Sequence, residues 1–171
     1  MAKLGAVIHR LSDGVDKVAR AITIVGLLVM LTAIAIQVVA RYIFKSPPIW
    51  TDELARYAMV WTGLLGATVA FKAAYDPVLF KPSAGRSKAF DLFLRAMQSA
   101  AVGIFLGPVL YYSIFSLNGD PARGFLGRAW GRSMETLGFP MLAVAIAVPL
   151  AATVILLHLL ARWAPAGDLK D

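Results

Sequence analysis

The stretch Ala21-Ile-Thr-Ile-Val-Gly-Leu-Leu-Val-Met-Leu-Thr-Ala-Ile-Ala-Ile-Gln-Val-Val-Ala40 runs for 20 residues without an Asp, Glu, Lys or Arg. As a helix it is long enough to cross a hydrocarbon layer about 30 Å thick. Two stretches of the same kind follow at 96–117 and 136–161, and a shorter one at 57–71 suffices only when extended. The sequence therefore predicts an all-α membrane protein with four transmembrane helices in a single domain over 1–171. The predicted spans are about 21–44, 51–74, 89–117 and 136–162.

The amino-acid composition also indicates that the protein lies in an apolar environment. Of the 171 residues, 59% are hydrophobic and 16% charged, and the mean hydropathy is +0.71. Such a chain has too few charges to cover a water-exposed globule. The net charge of +7 arises from Lys and Arg at the ends of apolar runs, which is typical of membrane topology signals and not of a nucleic-acid-binding face. We therefore expect no nucleic-acid partner, and a chain without cysteine has no thiol chemistry.

The distribution of Lys and Arg predicts the orientation. Eleven lie on the side of the two termini and six on the opposite side, so the positive-inside rule places both termini in the cytoplasm. A secretory signal peptide is the competing interpretation of the first span. Its apolar run is, however, longer than a typical signal and follows a 20-residue leader.

The leader itself has helical periodicity. Apolar residues recur every three or four positions, namely Leu4, Val7, Ile8, Leu11, Val15 and Val18. This pattern predicts an amphipathic helix over 4–20 that lies at the membrane interface, where its cations face anionic lipid. The alternative is a frayed extension of the first span. Membrane lipid is in either case an expected partner.

The connection between the first two spans is the segment richest in charged and aromatic side chains. Pro47 and Pro48 interrupt the helix, and Thr51 is a candidate N-cap for the second span. The carboxylates that follow suit a helix N-terminus, and pairing with Arg41 or Arg56 is a second use for them. The candidate structural or partner-interface cluster is Arg41, Tyr42, Trp50, Asp52, Glu53, Arg56 and Trp61.

Other positions suggest packing and not chemistry. Close helix contacts are predicted at Gly63, Gly66, Gly103 and Gly107. The middle of each span lacks ionisable residues, which a solute path normally requires. His9 and His158 have no ligand-like neighbours, and catalytic motifs are absent from the sequence. We therefore expect neither an enzyme nor a cofactor.

Two segments carry a family resemblance. They are Gln37-x-x-x-Arg41-Tyr42-x-Phe44-x-x-Pro47-x-x-Trp50-x-x-Glu53-x-x-Arg56, followed by Gly66-Ala67, and Thr136-Leu-Gly138-Phe-Pro140-Met141, which leads into the span that contains His158. The pattern resembles the small permease, or DctQ-type Q subunit, of tripartite ATP-independent periplasmic (TRAP) transporters. The loop that begins at Lys72-Ala-Ala-Tyr75-Asp76-Pro77 departs from the family pattern.

The resemblance implies a symporter in a bacterial or archaeal inner (cytoplasmic) membrane. A periplasmic substrate-binding protein would deliver an organic anion, and the large M permease subunit would move it with sodium bound in M. The Q subunit would be a scaffold for M. Carried over by position, Arg41, Trp50, Asp52, Glu53 and Arg56 would form a cluster at its periplasmic end.

Two other classes of function remain open from the residues alone. A small self-assembling channel or exchanger would place Arg41, Asp52 and Glu53 at its mouth. A membrane oxidoreductase anchor would bind haem through His158.

Overall fold

The structure, a computed structural model, describes residues 2–73 and 88–164. The helices are α1 (Ala2–Tyr42), α2 (Ile49–Ala73), α3 (Lys88–Ile114), α4 (Phe125–Trp130), α5 (Leu142–Ala145) and α6 (Ala147–Trp163), with a 3-10 turn at Pro121–Arg123. Four helical segments are long and apolar enough to cross a membrane: Leu4–Tyr42, Ile49–Ala73, Ala89–Ile114 and Leu142–Trp163. The prediction of an all-α protein with four transmembrane helices is confirmed. The divergent loop, with Asp76, falls largely outside the described residues.

The leader and the first span form one helix of 41 residues, without the break that separate segments at 4–20 and 21–44 would require. The sequence offers no Pro at the junction, and Gly14 is tolerated inside the helix. The predicted apolar face points largely away from the bundle, since Leu4, Val7 and Leu11 are more than half exposed. Its location in the headgroup plane remains a prediction.

The bundle is built around α6. This helix packs against α1, α2 and α3, while α1 also runs along α2. The inward face of α6 consists mostly of small residues, and Ala147, Ala151 and Ala152 are almost fully buried. Small side chains allow helix backbones to approach closely. In a membrane the hydrophobic effect does not drive helices together, so this close packing is what holds them.

Hydrogen bonds between helices define one end of this bundle. The Lys72 Nζ donates to the Ser12 carbonyl oxygen over 2.8 Å, and the Trp163 indole donates to the Ser99 Oγ over 2.9 Å. The first halves of α1 and α3 therefore lie beside the ends of α2 and α6, as four antiparallel crossings require. The first half of α1 and the end of α6 are on the same side, and the cytoplasmic location of that side remains a prediction.

The segment before the fourth span differs in detail from the predicted helix at 136–162. Residues 133–140 form a tight reversal, closed by an isolated β-bridge between Ser133 and Pro140. Gly138 adopts φ +68°, a left-handed conformation that glycine reaches without steric cost. Helix begins only at Leu142. The absence of charge made this turn indistinguishable from the span that follows it.

Candidate functional site

Glu53 is the centre of the site. It lies in the first turns of α2, is only 8% exposed, and accepts hydrogen bonds on both carboxylate oxygens. Oε1 accepts from the Tyr57 hydroxyl at 2.8 Å and the Glu135 N–H at 3.0 Å. Oε2 accepts from the N–H groups of Thr136 and Leu137 at 2.8 and 3.0 Å, and also from the Thr136 hydroxyl. We call Glu53, Tyr57 and residues 135–137 the Glu53 clasp.

The clasp follows from local backbone geometry on both sides. Tyr57 is one helical turn after Glu53, so its hydroxyl reaches the same carboxylate. Opposite them, the reversal at 133–140 turns three successive N–H groups inward, which creates a concave anion site of the kind that successive backbone amides form. All five partners are donors, which matches an ionised carboxylate. The clasp therefore ties the start of α2 to the loop that precedes α5.

The structure corrects the expected partners of this cluster. Glu53 does not pair with Arg56, since the exposed Arg56 forms its ion pair with Asp52, four residues earlier. Arg41 is exposed in the last turn of α1 and forms no ion pair with a described residue. The reason is rotational: Asp52 points outward along the Arg56 face, whereas the next residue is turned by about 100° towards the 135–137 loop.

Thr51 is not the N-cap of α2. The helix begins two residues earlier, at Ile49. The Thr51 side chain is fully buried, and its hydroxyl donates to the Pro48 carbonyl oxygen over 2.7 Å. Pro48 has no N–H to satisfy and a φ already suited to a helix start, so the helix can begin directly after it.

The aromatic residues of the cluster separate into two groups. Tyr42 and Trp50 are exposed at the ends of the first two spans, where such rings anchor a helix in the interface. Trp61 lies deeper in α2, and its indole N–H donates to the Ala143 carbonyl oxygen over 3.1 Å. It is a second link between α2 and the start of the fourth span.

A cleft of about 470 Å³ opens beside the clasp, and Arg132, Glu135 and Met141 are among its lining residues. The Glu53 carboxylate forms part of its wall but is occupied by protein donors. It is therefore not available as a general base or a metal ligand. The arrangement joins two segments of the chain, the start of α2 and the loop before α5, at one end of the bundle.

The opposite end holds a polar cluster that sequence reasoning missed. Ser12 Oγ and His158 Nδ1 are hydrogen-bonded at 2.8 Å, and both side chains are buried. Asp16 is buried one turn further along α1 and pairs with Arg20 at 2.9 Å. The Lys72 Nζ donates to Asp13 Oδ1 at 2.7 Å. We call Ser12, Asp13, Asp16, Lys72 and His158 the His158 cluster.

The signal for this cluster was present in the leader but weak. Ser12, Asp16 and Ala19 recur at spacings of four and three and so share one helical face. The amphipathic pattern drew attention to the opposite, apolar face. Within the bundle it is the polar face that packs.

The predicted packing glycines behave differently from one another. A Cβ on Gly66 would make an ordinary 3.6 Å contact with the Thr23 methyl group, whereas one on Gly63, Gly103 or Gly107 would meet no atom within 4 Å. A tight contact between spans lies instead at Gly26, where a Cβ would be 2.6 Å from Thr62 Oγ1. The roles of Gly63, Gly103 and Gly107 against a partner remain predictions.

Together these features define a membrane protein of four spans whose first hairpin is tied by a buried carboxylate to the loop before the fourth span. Residues 30–75 match the family model described as "Tripartite ATP-independent periplasmic transporters, DctQ component". The matched segment is the last third of α1, the connection and α2, roughly a quarter of the chain, and it includes Glu53. The resemblance noted from the sequence is thereby confirmed over this segment. No curated protein matches the chain significantly.

Proposed function

We propose that this chain is the small membrane subunit of a TRAP transporter and braces the large M permease subunit. The match of residues 30–75 to the DctQ component carries the proposal. In this role the chain is not an enzyme and binds no cofactor. It supports uptake of an organic anion that a periplasmic binding protein delivers, and sodium is bound in M.

The bracing role is supported by where polar groups lie. In the described residues, the hydrogen-bonded charged side chains gather towards the two ends of the bundle, and those of the Glu53 clasp and the His158 cluster are among them. Between them, α1 and α3 present apolar side chains outward, among them Val25, Leu28, Ile104 and Phe105. Such surfaces suit lipid or another membrane subunit, whereas a solute path requires polar groups at mid-depth.

Affinity purification of the tagged chain from membranes of its source organism tests this assignment. We expect a much larger multi-span protein, encoded by a neighbouring gene, to co-purify in mild detergent and to be identified by mass spectrometry. Deleting the gene should abolish uptake of the solute. The assignment fails if the chain purifies alone and uptake survives deletion.

A second measurement separates this role from that of a channel or exchanger. The purified chain is reconstituted alone into liposomes, and ion and organic-anion flux is compared with protein-free liposomes. We expect no flux above background. Flux mediated by this chain alone would overturn the bracing role and favour conduction.

A further inference from the structure

An apolar groove of about 450 Å³ lies between α2, α4 and the start of the fourth span. Its walls include Val60, Val144 and Val148, and Arg128 and Arg132 are the two charged residues among those that line it. Met141 and Val148 are seven residues apart, so the groove extends about 10 Å along the fourth span. It is therefore an elongated apolar surface with cations at one end.

The two arginines have no polar partner among the described residues. Neither the Arg128 nor the Arg132 guanidinium forms a hydrogen bond or ion pair with any residue of 2–73 or 88–164, and both are exposed. Two nearby carboxylates have other partners: Asp52 pairs with Arg56, and Glu53 is enclosed in its clasp. Glu135 lines the neighbouring cleft with Arg132 and forms no ion pair with it.

The aromatic residues around this groove indicate that it lies at the depth of the membrane interface. Trp130 is 75% exposed beside the arginines, and the partly exposed Phe125 lines the groove itself. Exposed aromatic rings next to arginine at the end of a span are typical of the headgroup region. The valines continue from there into the span.

We propose that this groove is a binding site for an anionic phospholipid, with the phosphate between Arg128 and Arg132 and one acyl chain along the valines. Guanidinium groups bind phosphate oxygens through paired N–H donors, and the apolar wall fits hydrocarbon. An acidic protein segment would match the arginines but not the valine wall below them. The lipid site does not depend on the proposed transporter role.

The test uses the 171-residue chain in detergent, with bound lipid counted by native mass spectrometry during titration with phosphatidylglycerol. We expect a saturable adduct. Phosphatidylcholine should bind more weakly, and inorganic phosphate should not compete at equal concentration because it lacks the acyl chain. Arg128→Gln and Arg132→Gln should each weaken phosphatidylglycerol binding by about fivefold, and the double variant by on the order of twentyfold.

Arg123→Gln is the matched control. It removes the same charge from the same segment, but Arg123 does not line the groove and lies 3.6 Å from Asp120. We expect wild-type binding from this variant. Val148→Trp fills the acyl groove and should weaken binding while both arginines remain, and circular dichroism checks that each variant keeps its helix content.

Three results would overturn the site. They are unchanged phosphatidylglycerol binding in the folded Arg128→Gln/Arg132→Gln variant, an equal loss in Arg123→Gln, and full competition by inorganic phosphate. The second would indicate a diffuse effect of net charge, and the third a free-anion site. A folded Val148→Trp variant with wild-type binding would exclude the acyl chain from this groove.

Discussion

The two ends of the bundle are held by different chemistry. At one end a single carboxylate, Glu53, accepts from three backbone N–H groups and two hydroxyls. At the other, several side chains share the task in pairs, and two of their buried atoms, Asp16 Oδ1 and His158 Nε2, have no hydrogen-bond partner among the described residues. The clasp is saturated, whereas the His158 cluster is not.

This difference predicts different sensitivity to substitution. Removing the acceptor from the clasp leaves several donors without partners at once, and unpaired buried donors are costly. A substitution in the His158 cluster removes one or two contacts, so it leaves fewer groups without partners. The clasp should therefore be the more fragile end.

The largest effect is expected for Glu53→Gln. The amide that replaces one carboxylate oxygen is itself a donor, so it opposes N–H groups of residues 135–137. We expect this variant to unfold in detergent at a lower temperature than any single substitution in the His158 cluster, and to give the lowest yield of complex with a co-purifying subunit. The measurements are a thermal melt and quantitative affinity purification.

Asp52→Asn is the control for Glu53→Gln, since it changes the adjacent carboxylate of the same helix turn. Asp52 is exposed and, among the described residues, pairs with Arg56 alone, so the free energy of unfolding should stay within about 0.5 kcal/mol of wild type. Equal melting temperatures and complex yields for the two variants would refute the special place of the clasp.

Ser12→Ala tests the His158 cluster. It removes the partner of His158 Nδ1 from a buried contact between α1 and α6, and we expect a loss of about 1–2 kcal/mol in the free energy of unfolding. The matched control is Ser113→Ala, because the equally buried Ser113 donates within its own helix to the Val109 carbonyl oxygen. Chemical unfolding in detergent should show a loss below about 0.5 kcal/mol for the control; similar losses would mean that the Ser12 contact does not join helices.

Between the two ends, Gly26→Ala tests the close approach of α1 and α2. Overpacking against Thr62 Oγ1 costs about 1–3 kcal/mol, and the gain in helix propensity returns about 0.5–1 kcal/mol. We therefore expect a net loss of about 1 kcal/mol, measured by chemical unfolding in detergent. Gly103→Ala, which adds a methyl group in open space, should cause no loss.

A double variant tests whether the contact with Thr62 Oγ1 causes the loss of stability expected for Gly26→Ala. Thr62→Ala removes the atom that the new methyl group meets, and that Oγ1 has no described hydrogen-bond partner to lose. Gly26→Ala combined with Thr62→Ala should therefore recover most of the stability lost in Gly26→Ala. Additive losses would contradict the contact.

These expectations also show what sequence alone could predict. Apolar length was enough to locate four spans, because hydrocarbon thickness fixes how many residues a crossing helix needs. The charged and aromatic residues of the connection between the first two spans also singled out Glu53 as part of a cluster. The sequence alone does not go further than that. It could not identify the partners of Glu53, because the N–H groups of Glu135, Thr136 and Leu137 lie more than 80 residues away and backbone donors leave no mark on residue type.

The same limit applies to the opposite end. Ser12 and His158 are 146 residues apart, and nothing local to either residue predicts their pairing. Gly26 was missed for a related reason, since a single glycine in an apolar run matters only through the helix that approaches it. Whether a segment forms a helix can be predicted from its own residues. Which of its residues contact a neighbouring helix depends on that helix as well.

The smallest effect is expected for Asp13→Asn in the His158 cluster. The Asp13 side chain is 65% exposed, and an exposed ion pair contributes about 0–0.5 kcal/mol at low salt. Lys72 keeps its second contact, with the Ser12 carbonyl oxygen at 2.8 Å, so α1 and α2 stay joined. Chemical unfolding in detergent at two salt concentrations should show a small loss at low salt that disappears at high salt.

Lys72→Met distinguishes the ion pair from the backbone contact. It removes the hydrogen bonds that the Lys72 ammonium donates to Asp13 and to the Ser12 carbonyl oxygen, and it keeps a long apolar side chain. The loss in unfolding free energy should therefore exceed that of Asp13→Asn and persist at high salt. If the two variants behave alike at every salt concentration, the Ser12 carbonyl contact contributes nothing measurable. The His158 cluster would then depend on the buried Ser12–His158 pair, and the contrast with the clasp, which draws on five donors at once, would become sharper.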